Sequence, residues 1–498
     1  MMRRLFPAAL TLSLLACDSP EALPPDGGGG GGGGGSTPLV VDSTRPADAA
    51  THDFERPLVA WFNQALQSSS ITVGNVGLRT GAGVDVPRRL LGLSSSRSLE
   101  TVAALLPGES YSLVLSTGLA GSTGGRLAAP DTVRFTTRSV VATSVGSIDS
   151  LHGSRVGLAQ DSTGRLHLTY GEASTGDLMY ASCAAGCSTA AGWTVVRVDS
   201  IGVTGQQSSV AVDPDARVHV VYRDETRQEL RYATCLAPCT DPADFVRVTI
   251  EGTTTNVGTN PVIVVGPTGR LHVTFFSPGA TVFRYTTCLL NCTSATQWSG
   301  NLIDGNNAYT GVQSAMVVDP AGRLHVVYTD DGVSGLRYAT CASGCGDITT
   351  TWQTAAVTGV LGLTAYPSIA VDSAGGVHVA YQGLTDTDLR YAVCEEGCLL
   401  GPTQWTDIDL LTFGNVGGGT ALAVDGRGRL HLTYADREGV ALGYATCASG
   451  CDAASRWRSA PIDVRTGLPA APAMLLGRDG RLRTAYLADS LRFVRVLE

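Results

Sequence analysis

A unit of about fifty residues is written into this chain six times, and a seventh, truncated copy ends it. The fourth copy reads GRLHVVYTDDGVSGLRYATCASGC from Gly322 to Cys345. Its histidine recurs as His167, His219, His272, His325, His378 and His431, a step of 52 residues followed by four of 53. A period near 50 with strand-like content marks a repeat architecture, in which each unit is one supersecondary element that must stack on its neighbours.

Each copy carries four strand signals. In the fourth they are Ser314–Asp319, Arg323–Tyr328, Leu336–Cys341 and Trp352–Val357. An Asp-x-x-Gly turn follows the first strand at Asp319 and recurs at Asp161, Asp372 and Asp425; Asp and Gly supply tight-turn geometry. The second strand is apolar on both faces, as in sheets that stack face to face. Four short antiparallel strands repeated radially make a β-propeller. Ala471–Leu476, Arg481–Tyr486 and Leu491–Val496 supply three strands of a seventh blade before the chain stops. Val140–Asp149 matches Trp193–Asp199 in position and ending and is the candidate for the fourth. Pairing the two ends would close the ring and remove its exposed edges. The expectation is an all-β protein with a seven-bladed propeller over residues 139–498, closed by an N-terminal strand; six blades plus a capping piece is the lesser option. The Asp-x-x-Gly and Tyr pattern resembles sialidase-like and NHL-like propellers in architecture only.

At 498 residues the chain exceeds one ordinary core, so further units are expected. Arg3 and Arg4, the apolar run Leu5–Ala16 and Cys17 form a segment far too short to span a bilayer. Leu14-Leu15-Ala16-Cys17 closely resembles a bacterial lipobox. That resemblance implies cleavage before Cys17, a lipid on its thiol, and a membrane partner through the anchor. Residues 18–38, with nine consecutive glycines at Gly27–Gly35, form a tether; about 20 such residues reach roughly 25 Å on average. Everything beyond is expected outside the cytoplasm. Residues 39–138 lack the repeat. They open on Ser43-Thr44-Arg45-Pro46-Ala47-Asp48, carry Leu106-Pro107-Gly108-Glu109-Ser110-Tyr111 and end on Phe135-Thr136-Thr137. This resembles the bacterial Ig-like domain of the S-layer (SbsA) type, which implies a spacer or adhesive module. Its length and alternation also suit a seven-stranded sandwich.

Twelve cysteines form one C-x-x-x-C per full repeat: Cys183/Cys187, Cys235/Cys239, Cys288/Cys292, Cys341/Cys345, Cys394/Cys398 and Cys447/Cys451. Residues four apart on an extended strand lie about 13 Å apart, whereas a disulfide needs Cα atoms within about 7 Å. Bonding therefore requires the chain to reverse inside Ala342-Ser343-Gly344 and its equivalents, where small residues permit it. Outside the cytoplasm bonding is the default. The rival, zinc, wants four ligands, and no second pair lies near in sequence. The repeated histidines and Tyr170, Tyr222, Tyr328, Tyr381, Tyr434 and Tyr486 are read as structural, since a catalytic group is needed once and the seventh copy has Arg483 where the histidine would be.

Function is sought where the copies differ, in loops held by a rigid frame. Between second and third strands lie the acids of a candidate ligand face: Asp177, Asp224, Glu225, Asp330, Asp331, Asp386, Asp388 and Asp436. The fourth-to-first connections (Ile201–Ser208, Gly252–Asn260, Asn306–Gln313) share that face. It reads either as ordinary solvated charge or as a surface for a cation, a basic partner or a glycan. A net charge of −9 argues against nucleic acid, and the absence of lysine excludes Schiff-base chemistry. The leading expectation is a monomeric, lipid-anchored cell-envelope binding or scaffold protein for a glycan, cation or protein ligand, with no cofactor beyond a structural or ligand-bridging calcium. A propeller-type glycoside hydrolase is the alternative; it needs two carboxylates about 5–9.5 Å apart, and no such non-repeating constellation stands out. A plain structural spacer is the third reading.

Overall fold

The computed structural model describes residues 36–92, 96–146, 155–172, 174–184, 187–252, 256–305, 310–330, 335–358, 364–412, 414–465 and 467–496. The lipobox with Cys17, nearly all of the tether, and Asp331 of the candidate ligand face lie outside the described residues.

The N-terminal unit is a sandwich of two four-stranded sheets. One orders Val41–Arg45, Leu58–Phe62, Ser98–Ala103 and Arg88–Leu91; the other orders Ala50–His52, Asp131–Thr137, Ser110–Leu115 and Val76–Thr80. Alternation does the sorting: in Asp131–Thr137 the residues Val133, Phe135 and Thr137 are buried between exposed Arg134 and Thr136. Leu58, Phe62, Leu78, Leu113 and Leu115 fill the space between the sheets. Among the described residues the sandwich has eight strands where seven were expected. The extra one, Ala50–His52, is three residues long and pairs in parallel with Asp131–Thr137; so short a strand shows no alternation in sequence.

Seven four-stranded sheets follow, each in sequential strand order except the last. The fourth comprises Thr310–Val318, Leu324–Asp330, Gly335–Cys341 and Gln353–Ala356, within a few residues of the expected spans. Its first strand starts earlier than expected because an irregularity between Thr310 and Ser314 carries the pairing through Gly311 at φ 79°. The seventh sheet runs Ala470–Leu476, Leu482–Leu487, Leu491–Val496 and then Val140–Gly146, which pairs antiparallel with Leu491–Val496. The first strands of neighbouring sheets lie against one another, and Gly157–Gln160 of the first sheet also lies against Ala470–Leu476 of the seventh.

All six cysteine pairs are bonded: Cys183–Cys187, Cys235–Cys239, Cys288–Cys292, Cys341–Cys345, Cys394–Cys398 and Cys447–Cys451, with Cα atoms 5.7–5.9 Å apart. In four copies the chain reverses inside the loop, on the residue before the second cysteine: Asn291, Gly344, Gly397 and Gly450, at φ 56–70°. The other two copies differ from the expected pattern. In the second, Pro238 holds that position, and its ring fixes φ near −65°. The reversal therefore moves onto Cys239 itself, at φ 54°, rather than onto a small residue between the cysteines. In the first copy residues 185 and 186 lie outside the described residues, so the reversal expected ahead of Cys187 has no described counterpart. The Cys183–Cys187 bond itself matches the others, with Cα atoms 5.8 Å apart.

The bonded turn has a second use. The carbonyl of its second cysteine accepts the indole N–H of a tryptophan: Trp193 on Cys187 at 3.3 Å, Trp298 on Cys292 at 2.9 Å, Trp405 on Cys398 at 3.2 Å and Trp457 on Cys451 at 2.9 Å. Cys239 departs here too, because Phe245 stands in the tryptophan's place and has no N–H to give; Phe245 packs edge-to-face on Tyr180 instead, at 5.3 Å. Each indole likewise meets a tyrosine of the preceding sheet edge-to-face, Trp298 on Tyr232, Trp352 on Tyr285, Trp405 on Tyr338 and Trp457 on Tyr391, with centroids 4.9–5.7 Å apart. Trp193 of the first sheet meets Phe493 of the seventh in the same way, at 5.1 Å.

Those tyrosines also hold the repeated histidines. His219 Nδ1 lies 2.7 Å from the Tyr232 hydroxyl and its Nε2 3.2 Å from Asp213 of the turn, and the pattern returns for His325 and His378. In the third copy Gly266 replaces the aspartate, and burial together with Arg270 takes the His272 pKa down to about 4. Burial lowers the other five repeated histidines, and it takes His52 to about 4. A neutral buried imidazole gains no proton in the fold, while the unfolded chain gains one below about 6.5. Stability is therefore full above pH 6.5, is lost as pH falls towards about 4, and stops falling once the folded rings protonate as well. Glu55 acts the other way: burial raises its carboxyl to about 7, so it regains some stability as pH falls below that. Asp388 and Asp407, also raised by burial, act with Glu55, and seven histidines outweigh these three carboxyls. Urea midpoints measured stepwise should fall from pH 6.5 to 4.5; a rise across that window would contradict the assignment.

The Ig-like unit docks on the sixth and seventh sheets. Phe54 packs edge-to-face on Tyr444, centroids 5.5 Å apart, in the slot that the next sheet's tryptophan fills elsewhere. Arg429 is 1 % exposed and donates to the carbonyls of Phe54 and Ala103 while pairing with Asp425. Arg458 grips both Glu109 oxygens at 2.9 and 2.8 Å, Arg481 reaches Asp53 at 3.2 Å, and Leu482 N–H donates to Glu55 at 2.8 Å.

Candidate ligand-binding site

Most acids of the expected ligand face are spent on the protein itself. Asp177 is 4 % exposed and binds Arg197 at 2.9 Å. Asp224 is fully buried and takes both the backbone N–H and the guanidinium of Arg227. Glu225 binds Arg223 at 2.6 Å, buried Asp330 lies 3.8 Å from Arg337, and Asp436 accepts the Gly439 N–H at 2.7 Å. Asp386 and Asp388 do come together, with Asp409, their carboxylates within 4.8 Å of one another. Burial and the two neighbouring carboxylates raise the Asp388 pKa. Arg390 already occupies this group, 2.5 Å from Asp409 and 3.5 Å from Asp386. Most of these loop acids thus fasten loops through arginine, the one fixed side-chain cation this chain uses.

A cavity lies on the same side, at the start of the first strands. One residue from each of six successive copies walls it: Gln207, Asn260, Gln313, Tyr366, Gly419 and Pro472, each 53 positions after the last. Arg155 and Arg437 complete the wall, and the cavity measures about 270 Å³. Beneath it a second space of about 270 Å³ is lined from all seven sheets, among others by Val156, Ser209, Val262, Ala315, Ile369, Leu422 and Met474. The far end, about 420 Å³, is bounded by the Asp-x-x-Gly turns and their neighbours, with Asp161, Asp213 and Asp319. Those aspartates are committed to their own turns, Asp161 to the N–H groups of Thr163 and Arg165, Asp213 to those of Asp215 and Arg217.

Local chain geometry sets the polar wall. Asn260 and Tyr366 sit at φ 50° and 54°, which turns their backbone N–H groups sideways. The Gln207 Oε1 accepts the Asn260 N–H, and the Gln313 Oε1 accepts that of Tyr366. Since a backbone N–H needs an acceptor, each glutamine is fixed with its NH₂ left over. In the sixth copy the run Gly417-Gly418-Gly419 removes side chains, and the space goes to Arg437: a Cβ on Gly418 would fall 2.5 Å from the Arg437 Nε. The Arg437 guanidinium sits 5.8 Å from the Tyr366 ring centre. Sequence reading missed this wall by weighing the charged tips of the loops. The signal available was a column of six residues of varied type at a constant spacing, in a repeat that is otherwise uniform.

Residues 35–137 match the bacterial Ig-like domain family. No curated protein matches the chain. Among solved structures it is similar to the polysaccharide lyase Uly1, with 11% identity, 70% of this chain and 90% of that one covered, and a TM-score of 0.43. It is similar to the WD40 domain of Toxoplasma gondii coronin, with 10% identity, 72% and 87% covered and a TM-score of 0.47. It is also similar to a NanB sialidase variant from Streptococcus pneumoniae, with 10% identity, 92% of each chain covered and a TM-score of 0.39. The protein is all-β, with a bacterial Ig-like domain and sialidase-like propellers among its structural neighbours; at such identities the likeness concerns fold alone.

Proposed function

We propose that this chain is a lipid-anchored, extracytoplasmic glycan-binding protein. In this reading Cys17 carries the anchor, residues 18–38 the tether, residues 39–138 the Ig-like spacer, and residues 139–498 a closed seven-bladed propeller acting as a monomer. Closure is supported by the pairing of Val140–Gly146 with the last strand and by the contact of Trp193 with Phe493. Six disulfides support an oxidising compartment.

One observation carries the binding reading: the cavity at the start of the first strands is walled by the residues that vary from copy to copy. Its size, about 270 Å³, falls just below the usual range of ligand pockets, about 300–1,000 Å³, and fits a sugar ring rather than a folded partner. Hydrolysis is the weaker reading, because among the described residues the wall includes no Asp or Glu and the reaction needs two. The test is a glycan array probed with full-length protein in detergent. Saturable binding to one glycan class, lost in Tyr366→Ala, is expected; binding to none would leave the spacer reading. Cys17→Ser should move the protein from the membrane to the soluble fraction.

A further inference from the structure

The long polar side chains at this cavity face it as donors, beside two groups that can accept, the Asn260 Oδ1 and the Tyr366 hydroxyl. Gln207 and Gln313 have given their oxygens to backbone N–H groups, so each offers only an NH₂. Arg155 and Arg437 have no acceptor capacity at all. Among the described residues no carboxylate lines the wall. That is unusual in a chain with 44 acidic residues against 35 basic ones. Elsewhere arginines at comparable depth sit on carboxylates, as Arg231 on Asp199 at 2.6 Å, Arg337 on Asp304 at 3.1 Å and Arg492 on Asp463 at 3.2 Å. Among the described residues neither Arg155 nor Arg437 has an ion pair. Arg437 makes one long hydrogen bond, 3.4 Å to the Gly418 carbonyl.

Two guanidinium groups without counter-ions at one small cavity are costly unless something neutralises them. Burial already draws the Arg155 pKa down to about 10, with only the Tyr366 phenol opposing it. The sequence spends three consecutive glycines, Gly417–Gly419, where Arg437 lies across the opening.

We infer that the mouth takes an anionic sugar, its carboxylate or sulfate held between Arg155 and Arg437 with the Gln207 and Gln313 amides donating to the same ligand. This rests on the glycan-binding reading and names its ligand chemistry. The two anions share that chemistry, and the experiment separates them. Full-length protein is titrated calorimetrically with D-glucuronate, D-glucose 6-sulfate and D-glucose in low-chloride buffer, for the wild type and for Arg155→Gln, Arg437→Gln, Arg155→Lys and Gly418→Ala. One or both acids should bind at least tenfold more tightly than glucose, and added salt should weaken them. Arg155→Gln and Arg437→Gln should each cost the acid at least tenfold and narrow the gap between acid and glucose. Arg155→Lys should recover part of the loss, and Gly418→Ala should behave like Arg437→Gln by displacing the guanidinium. Thermal midpoints close to wild type establish that the variants fold. Glucose binding as tightly as either acid, or acid binding indifferent to both arginine variants, would overturn the inference. Array hits confined to neutral glycans and insensitive to these variants would sink it while leaving glycan binding intact. Binding of no sugar, on the array or in the calorimeter, would sink both.

Discussion

Phe54→Ala should lower unfolding free energy by about 3–5 kcal/mol, the usual cost of emptying a phenylalanine site in a closed core, although Phe54 belongs to the Ig-like unit and the loss would fall on the sixth sheet. Phe54 is fully buried and its ring fills the slot over Tyr444 that a tryptophan fills at four other junctions. Arg429→Ala should cost a similar amount for a different reason. The Phe54 and Ala103 carbonyls lose their donor, and half-buried Asp425 loses its guanidinium partner; breaking a buried pair from one side typically costs about 3–5 kcal/mol. Because the two residues share one contact, their effects should fall short of additive in the double variant. Chemical denaturation followed by tryptophan fluorescence reads all three values. A Phe54→Ala loss below about 1 kcal/mol would mean that the Ig-like unit hangs free of the repeat.

Reduction is the second large effect. A five-residue disulfide loop contributes about 2 kcal/mol by chain entropy, so the six together reach the scale of a whole domain's stability, about 5–15 kcal/mol. Each bond but Cys235–Cys239 also fixes a turn that an interface indole follows, as Cys451 holds Trp457 and Cys187 holds Trp193. Reducing the folded protein should therefore loosen junctions between sheets as well as the turns. A fall in thermal midpoint of tens of degrees on full reduction is expected, with loss of the near-ultraviolet tryptophan signal. A midpoint unchanged by full reduction, confirmed by alkylation of all twelve repeat cysteines, would contradict both roles.

How much of this could be read from sequence depends on distance along the chain. The strands, the Asp-x-x-Gly turns and the cysteine loops announce themselves within a dozen residues and recur, so repetition amplifies each signal. Repetition also hides the exception: Pro238 was visible in the second loop, yet the common pattern drew the reversal onto a small residue rather than onto Cys239. The strand Val140–Gly146 was legible because the seventh copy visibly lacked a fourth strand. The docking of Phe54 on Tyr444 was not, since it joins two segments with no common pattern. The tryptophans were within reach: Trp193, Trp298, Trp352, Trp405 and Trp457 each follow the second cysteine by six or seven positions, with Phe245 in that place in the second copy. The loop acids misdirected attention because charge in sequence does not reveal whether an arginine already answers it. Asp224 and Asp330 look like exposed tips and are fully buried. The cavity wall went unseen because Gln, Asn and Gly carry no chemistry until the fold gathers them.

Everything functional depends on the copies forming a ring, which makes the borrowed strand the place to look. Amide hydrogen exchange should find Val141–Ser144 protected to the same degree as Val195–Arg197, a fourth strand supplied by its own copy, and Gly157–Gln160 protected like the other first strands. Fast exchange in both Val141–Ser144 and Gly157–Gln160 would describe an open row of sheets, with no shared cavity and no mouth for a ligand.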